Sequence, residues 1–118
     1  MLNLPPNVSI LVCRESVNIH KSFDGLIGLV RSTMQADPVS PTFFVFFNKA
    51  RTRVKILYWD IDGFAIWYKR LEQGTFHLTP PKNNETAIRM TRTQLTMLLE
   101  GLEPQKIMQR KRFLKKSA

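Results

Sequence analysis

The sequence predicts an α+β fold: a small single domain with a mostly antiparallel β-meander, one amphipathic helix packed on it and a short C-terminal helix. Its 118 residues suffice for one hydrophobic core but not for two. Apolar residues run continuously over strand-length segments in the middle of the chain and recur at helical spacing nearer both ends. Because helix and strand patterns are segregated, we expect an antiparallel rather than a parallel sheet.

The first two predicted elements are a strand and a helix. Residues 8–13 form a β-branched apolar run after two prolines, which block extension of the strand backwards. From residue 21 to residue 35, apolar side chains recur every three or four positions and line one helical face. Ser22 is a candidate N-cap for this helix. The helix is expected to end before Pro38, because the residue that precedes a proline avoids the helical region.

The middle of the chain predicts a meander of three or four antiparallel strands. Residues 42–47 form a continuous apolar and aromatic run, and residues 54–59 form a second run after a polar turn. The Asp-Ile-Asp-Gly sequence at residues 60–63 predicts a second turn, with its glycine able to adopt a positive φ. Residues 64–70 then form a third strand. A further turn leads to residues 75–78, which form a fourth strand if the meander continues.

The C-terminal part of the domain predicts a short strand followed by a helix. Residues 88–90 form the strand after a polar loop that contains prolines. Thr91 or Thr93 caps the helix, and Gly101 lies near its end. The helix has one leucine face, which consists of Leu95, Leu98, Leu99 and Leu102.

The charge of the chain indicates its class of partner. Lysine and arginine number 18 against 9 acidic residues, which gives a formal net charge of +9. A polyanion is the natural partner of such a chain through electrostatic steering and counterion release, and nucleic acid is the leading candidate. We divide the chain into a domain at residues 1–103 and a basic tail at residues 104–118, which holds six cations and no acid.

The cysteine content and hydropathy predict a cytoplasmic protein without membrane contact. The single cysteine, Cys13, cannot form an internal disulfide, as is usual in a reducing compartment. It lies in an apolar run, where a buried thiol is expected rather than a nucleophile. The sequence shows neither a signal-peptide pattern nor an apolar run of membrane-spanning length.

Two groups of cations are candidate DNA-binding residues. The first alternates around the turn after residue 47 and is predicted to lie on one side of an extended ribbon, with two further cations at residues 69–70. The second lies in the basic tail. The alternative is that the first group is only a solvated hairpin tip and the tail only a solubilising extension. The candidates are Lys49, Arg51, Arg53, Lys55, Lys69, Arg70, Arg110, Lys111 and Arg112.

Four aromatic residues are interleaved with the first group of cations. They are Tyr58, Trp59, Trp67 and Tyr68. Such rings can stack on nucleobases, but burial in the core explains their presence equally well. The sequence therefore leaves both roles open.

No residue pattern supports an enzyme, and we predict no cofactor and no small-molecule substrate. Asp60 and Asp62 could share a Mg²⁺ ion and cleave phosphodiesters, which makes a metal-dependent nuclease the least favoured hypothesis. Their context is that of a turn, and no third acid has the spacing of a two-metal site. The glycines are dispersed and form no phosphate-binding loop.

Several short segments resemble one known family. They include Lys-Ile-Leu-Tyr-Trp-Asp at residues 55–60 and Tyr-Lys-Arg-Leu-Glu at residues 68–72. Over about residues 5–103 the chain resembles the TnpB-type accessory protein of the IS66 insertion sequences. The resemblance implies a bacterial, non-catalytic protein that assists transposition beside a separate transposase. It implies no particular site residues.

Two functions are compatible with these observations. The leading hypothesis is an accessory protein for DNA transposition that binds the transposon ends, the transposase, or both. The alternative is an adaptor that binds only the transposase, with its charge serving solubility. The sequence does not indicate the oligomeric state.

Overall fold

The computed structural model describes residues 2–78, 85, 87–103 and 108–109, which form a five-stranded sheet between two helices. The sheet order is β4-β3-β2-β1-β5, and β6 and β7 form a separate two-stranded sheet. The predicted α+β class is confirmed. In chain order the elements are β1 (Ser9–Cys13), α1 (Phe23–Ser32), β2 (Thr42–Phe47), β3 (Arg53–Asp60), β4 (Gly63–Arg70), β5 (Ala87–Met90), α2 (Arg92–Glu100), β6 (Leu102–Glu103) and β7 (Met108–Gln109).

Strands β2, β3 and β4 form the predicted antiparallel meander, and its three strands are one of the two numbers that the sequence allowed. Residues 75–78, which the sequence left open as a fourth strand, are irregular. Gly74, with φ of 75°, turns the chain after β4. The N–H of Phe76 then donates to the carbonyl of Arg51 at 2.7 Å, and the Phe76 ring packs 5.4 Å from that of Phe47. These two contacts hold residues 75–78 against the body of the sheet, so the segment does not pair along the edge of the sheet.

Strand β1 lies between β2 and β5, parallel to β2 and antiparallel to β5. The connection from β1 through α1 to β2 is long enough for a parallel crossover. The sheet is thus mostly antiparallel, as predicted, with one parallel pair inside it. We call the "basic end" the end of the sheet that contains the C-terminal ends of β1, β2 and β4 and the N-terminal ends of β3 and β5.

The core lies in two layers on either side of β2. Every residue of β2 is buried, because alternate side chains face a helix-covered layer on each side. On one face, Phe44 and Phe46 pack with Leu26 and Val30 of α1. We call this the α1 face and the other the α2 face. The α2 face buries Phe43, Val45, Phe47, Leu95, Leu98 and Leu99.

The two helices begin differently. Ser22 is the N-cap of α1, as predicted, although its side chain makes no capping hydrogen bond. Thr91 caps α2: its Oγ1 accepts from the N–H of Gln94 at 3.1 Å, and its own N–H donates to Gln94 Oε1 at 2.9 Å. Gly101 ends α2 in the left-handed conformation with φ of 79°. Leu102 therefore belongs to β6, and its assignment to the leucine face of the helix is wrong.

The β3–β4 turn places its backbone strain on an unexpected residue. The sequence offered Gly63 as a residue able to take a positive φ, but Gly63 begins β4 opposite Asp60. Ile61 instead has φ of 58° and is 90% exposed. A β-branched residue in this conformation is strained by about 1–2 kcal/mol. The molecule thus displays a large apolar side chain at a position that favours glycine.

Candidate nucleic-acid interface

Three cations lie together on the α1 face of the β3–β4 hairpin, at the basic end. Arg53 and Lys55 alternate along β3 and share the face of Leu57, which packs under α1. Arg70 lies directly opposite Arg53 in the antiparallel register, and Tyr68 lies opposite Lys55. We call Arg53, Lys55, Tyr68 and Arg70 the hairpin cluster.

Tyr68 is the centre of the hairpin cluster. Its hydroxyl accepts a hydrogen bond from Arg53 Nη1 at 3.0 Å, and Lys55 Nζ lies 4.8 Å from the centroid of its ring. Lys55 Nζ also donates to the carbonyl of Lys21 at 2.9 Å, just before α1 begins. These contacts fix two cations in position, while Tyr68 itself is 46% exposed. The cluster is therefore ordered and accessible.

The positive charge of the hairpin cluster is only partly compensated. Within the described chain, Glu72 is the one acid paired with a cation of the cluster, with its Oε1 2.8 Å from Arg70 Nη2. The two side chains are 59% and 51% exposed. An ion pair at such a surface contributes about 0–1 kcal/mol, because water screens it. Arg53 and Lys55 keep a positive potential that attracts anions.

The prediction of one extended basic ribbon is wrong for two of its four residues. The residues predicted to share one side were Lys49, Arg51, Arg53 and Lys55. Asn48 closes a tight turn, since its Oδ1 accepts from the N–H groups of Thr52 and Arg53 at 3.0 and 2.9 Å. Within this turn Arg51 has φ of 57° and directs Nη1 toward the carbonyl of Leu78, 3.4 Å away. Lys49 is exposed at the turn and lies outside the hairpin cluster.

Lys69 lies on the α2 face, so the prediction that it extends the patch is also wrong. It is opposite Val54 in the register, and consecutive residues of a strand point to opposite faces. Its Nζ donates to the carbonyl of Leu99 at 3.3 Å, near the C-terminal end of α2. A cation there is stabilised by the helix dipole. Lys69 thus joins β4 to α2, whereas Arg70 faces α1.

One exposed cation at the basic end was missed from the sequence. Arg14 follows β1, and it lines a cleft together with Arg51, Glu15 and Asn48. Its position depends on the parallel pairing of β1 with β2, which brings the ends of these two strands together. No local sequence pattern indicates which strands will pair, so no signal for Arg14 was available.

The cations predicted in the basic tail are not part of the described structure. Arg110, Lys111 and Arg112 lie outside the described residues. Two residues of the predicted tail, Met108 and Gln109, form β7 and pair with β6. The hairpin cluster is therefore the basic site whose geometry is known.

The four aromatic residues divide between the core and the surface. Tyr58 stacks on Phe43 with ring centroids 4.6 Å apart, and Trp67 packs against the core of the α2 face. Tyr68 belongs to the hairpin cluster, and Trp59 lies near the β3–β4 turn with 37% of its surface exposed. Core packing thus accounts for two of the rings, and only Tyr68 lies beside cations.

The described residues offer little for metal or thiol chemistry. Within them, no three histidine, cysteine, aspartate or glutamate side chains lie close enough to hold a metal ion, so the third acid required by the nuclease hypothesis is not found there. Cys13 is buried, and this burial raises the pKa of its thiol above the ordinary value. The prediction of a buried apolar thiol is confirmed. Neither described helix has the length and hydrophobicity needed to cross a bilayer.

Comparison with known proteins identifies the family. The model of the family described as "IS66 Orf2 like protein" matches residues 8–109. The chain belongs to the IS66 Orf2-like family. It is therefore an accessory protein of an insertion sequence, as the resemblance implied, in a family of accessory proteins rather than of known enzymes.

Two relatives of this IS66 Orf2-like protein come from Sinorhizobium fredii (strain NBRC 101917 / NGR234). The uncharacterized protein y4jC is 32% identical over 103 residues, which cover 87% of this chain and 86% of the relative. The uncharacterized protein y4hO is 26% identical over 103 residues, which cover 87% and 88%. No solved structure gives a significant match.

Proposed function

We propose that this IS66 Orf2-like protein assists transposition by binding the phosphate backbone of DNA at the transposon ends through its hairpin cluster. The observation that carries the proposal is the direct opposition of Arg53 and Arg70 across the β3–β4 ladder. Like charges at opposed positions of a sheet repel and destabilise it. A phosphate between them would convert this repulsion into two charge-assisted hydrogen bonds.

The contacts of the hairpin cluster favour this role. Guanidinium groups bind phosphate oxygens in a bidentate geometry, and the hydrogen bond from Arg53 to Tyr68 holds one such group in place before binding. Lys55 is fixed beside it by the Lys21 carbonyl. Backbone contacts of this kind position a protein on DNA without reading its sequence. Preference for the transposon ends would therefore come from other contacts.

The proposal is tested by measuring DNA affinity across salt concentrations. The Arg53→Ala/Arg70→Ala variant is compared with wild type on a labelled transposon-end duplex and on a scrambled duplex. The matched control, Arg31→Ala/Arg89→Ala, removes the same charge from exposed positions outside the cluster. Loss of two phosphate contacts should weaken binding about 10- to 100-fold at low salt and reduce the slope of log K against log salt by about two.

Either of two results would contradict the proposal. One is no binding by wild type at physiological salt, and the other is an equal loss of affinity in the cluster variant and the control. A protein truncated after Glu103 measures separately how much the tail cations contribute to DNA affinity. If truncation lowers DNA affinity more than the Arg53→Ala/Arg70→Ala substitutions do, the main DNA contact lies in the tail.

A second candidate function, docking on the transposase, is favoured by Ile61. This side chain is 90% exposed in a strained backbone conformation, beside the half-exposed Trp59 at the end of the sheet opposite the basic end. Strained residues that persist on a surface occur at functional sites more often than elsewhere. The β3–β4 turn would thus present Ile61 to an apolar pocket of the transposase.

The substitution Ile61→Gly is expected to affect stability and docking in opposite directions. We expect it to raise the free energy of unfolding by about 1 kcal/mol, because glycine adopts a positive φ without strain. We also expect it to reduce capture of the purified transposase about tenfold or more. Val39→Gly, at another exposed apolar position, is the control for loss of surface hydrophobicity. If the Ile61→Gly variant captures the transposase as well as wild type does, the β3–β4 turn is not part of the docking surface.

A further inference from the structure

We propose that this protein forms a symmetric dimer in which the β4 strands of two copies pair antiparallel and join their sheets. The observation is the open outer edge of β4, an eight-residue strand at one side of the sheet. The strand at the other side, β5, has four residues. A long edge strand without protection is a template for pairing with another chain.

The hydrogen-bonding directions along β4 follow from its register with β3. The N–H of Leu71 donates to the carbonyl of Thr52, its register partner, so the odd-numbered residues of β4 direct their backbone groups toward β3. The N–H and C=O groups of Phe64, Ile66 and Tyr68 therefore point away from the sheet. Among the described residues, nothing forms a backbone hydrogen bond with this outer edge.

The composition of β4 leaves its edge unprotected. Residues 64–68 contain neither a charge nor a proline, and their side chains are half-buried or exposed. Charged residues, prolines and bulges are the usual devices that prevent edge pairing. Here charge appears only at the two ends of the strand, with acids at the turn before it and cations at its last two positions.

This distribution of charge selects an antiparallel pairing with a second copy. When Ile66 lies opposite Ile66 of the second copy, the outward backbone groups match and form about six inter-strand hydrogen bonds. The same register places Phe64 opposite Tyr68 of the second copy and Asp62 opposite Arg70 of the second copy. Opposite charges meet at both ends of the joined strands, and on the other face Ala65 lies opposite the large Trp67 of the second copy. The side chains of one β4 strand thus complement those of a second β4 strand that runs in the opposite direction.

The symmetry also limits repulsion between two chains that each carry a charge of +9. Antiparallel pairing sends the two basic ends to opposite ends of the joined sheet, and each approaches the acidic turn of the other copy. Because the twofold axis is perpendicular to the sheet, both hairpin clusters lie on the same face. If the cluster binds DNA as proposed above, the dimer would present two such sites on one surface.

The test is sedimentation equilibrium of the full chain and of charge variants at concentrations up to about 100 µM. Wild type should have twice the chain mass of 13.7 kDa. Asp62→Arg and Arg70→Asp should each weaken self-association about tenfold, because each places like charges opposite one another. A mixture of these two variants should recover dimers, since both charge pairs are then complementary. Asp37→Arg and Arg89→Asp are the control changes outside β4.

A further variant blocks the edge directly. Ile66→Pro removes a backbone N–H that points away from the sheet, so the fold should persist while the dimer dissociates. Circular dichroism reports whether the variant is folded. A monomeric wild type, or a mixture of the charge variants that associates no better than each variant alone, would overturn the proposal. Neither outcome depends on DNA binding, so this proposal and that of the previous subsection can fail separately.

Discussion

Replacing Phe44 with alanine should lower the free energy of unfolding by about 3–5 kcal/mol. Phe44 is fully buried in the central strand β2 and packs in the layer formed with α1. It lies beside Leu57 of β3 on one side and Leu11 of β1 on the other. The surrounding backbone is fixed by two strand ladders and cannot collapse into the space that the ring leaves. The expected loss of stability therefore has two parts, which are the transfer free energy of the buried ring and the cost of the cavity that it leaves.

The measurement is urea unfolding followed by tryptophan fluorescence. Phe23→Ala is the matched control, because it makes the same chemical change at a side chain that is 43% exposed. We expect the control to lose less than about 1 kcal/mol. A domain of this size has about 5–15 kcal/mol of total stability, so the Phe44 variant should unfold at a clearly lower urea concentration. Similar midpoints for the two variants would show that the α1 layer does not control stability.

The strand containing Phe44 also illustrates what the sequence could predict. Five consecutive apolar residues follow Thr42, and this run indicated a strand without any knowledge of its neighbours, whereas the burial of both its faces is seen only in the structure. The cap of α2 also depends only on neighbouring residues, because the side chains of Thr91 and Gln94 each accept a hydrogen bond from the backbone N–H of the other residue. The bounds of β2 were predicted as they are found, and the cap of α2 is one of the two threonines that the sequence offered.

The candidate site depended on the turn before β3 and on the pairing of β3 with β4. Alternation correctly placed Arg53 and Lys55 on one face, because both lie inside β3. It failed for Arg51, since Asn48 bends the chain before the strand begins and the alternation starts only afterwards. The opposition of Arg53 and Arg70 follows from the register, which the two-residue β3–β4 turn sets. Pairing and register thus decided which predicted cations meet.

A second large loss of stability is expected for Phe76→Ala, about 3 kcal/mol. The ring is 1% exposed and packs on Phe47 and the core of the α2 face, although it comes from a segment with no strand ladder. The segment is also joined to the turn after β2 by the hydrogen bond from the N–H of Phe76 to the carbonyl of Arg51 and by that from Arg51 Nη1 to the carbonyl of Leu78. Because no strand ladder holds residues 75–78, we expect loss of the ring to loosen this segment.

The effect of Phe76→Ala should therefore be local as well as global, unlike that of Phe44→Ala. Hydrogen exchange at the amides of residues 72–78 should rise about tenfold or more under conditions in which the rest of the sheet stays protected. The Phe44 variant, compared at equal stability, should show no such local opening. DNA affinity should stay within about twofold of wild type, because the β3–β4 register holds the backbone of Arg53 and Arg70 and the exposed ion pair of Arg70 with Glu72 contributes little. Exchange at the wild-type rate would mean that contacts other than those of the Phe76 ring fix the segment.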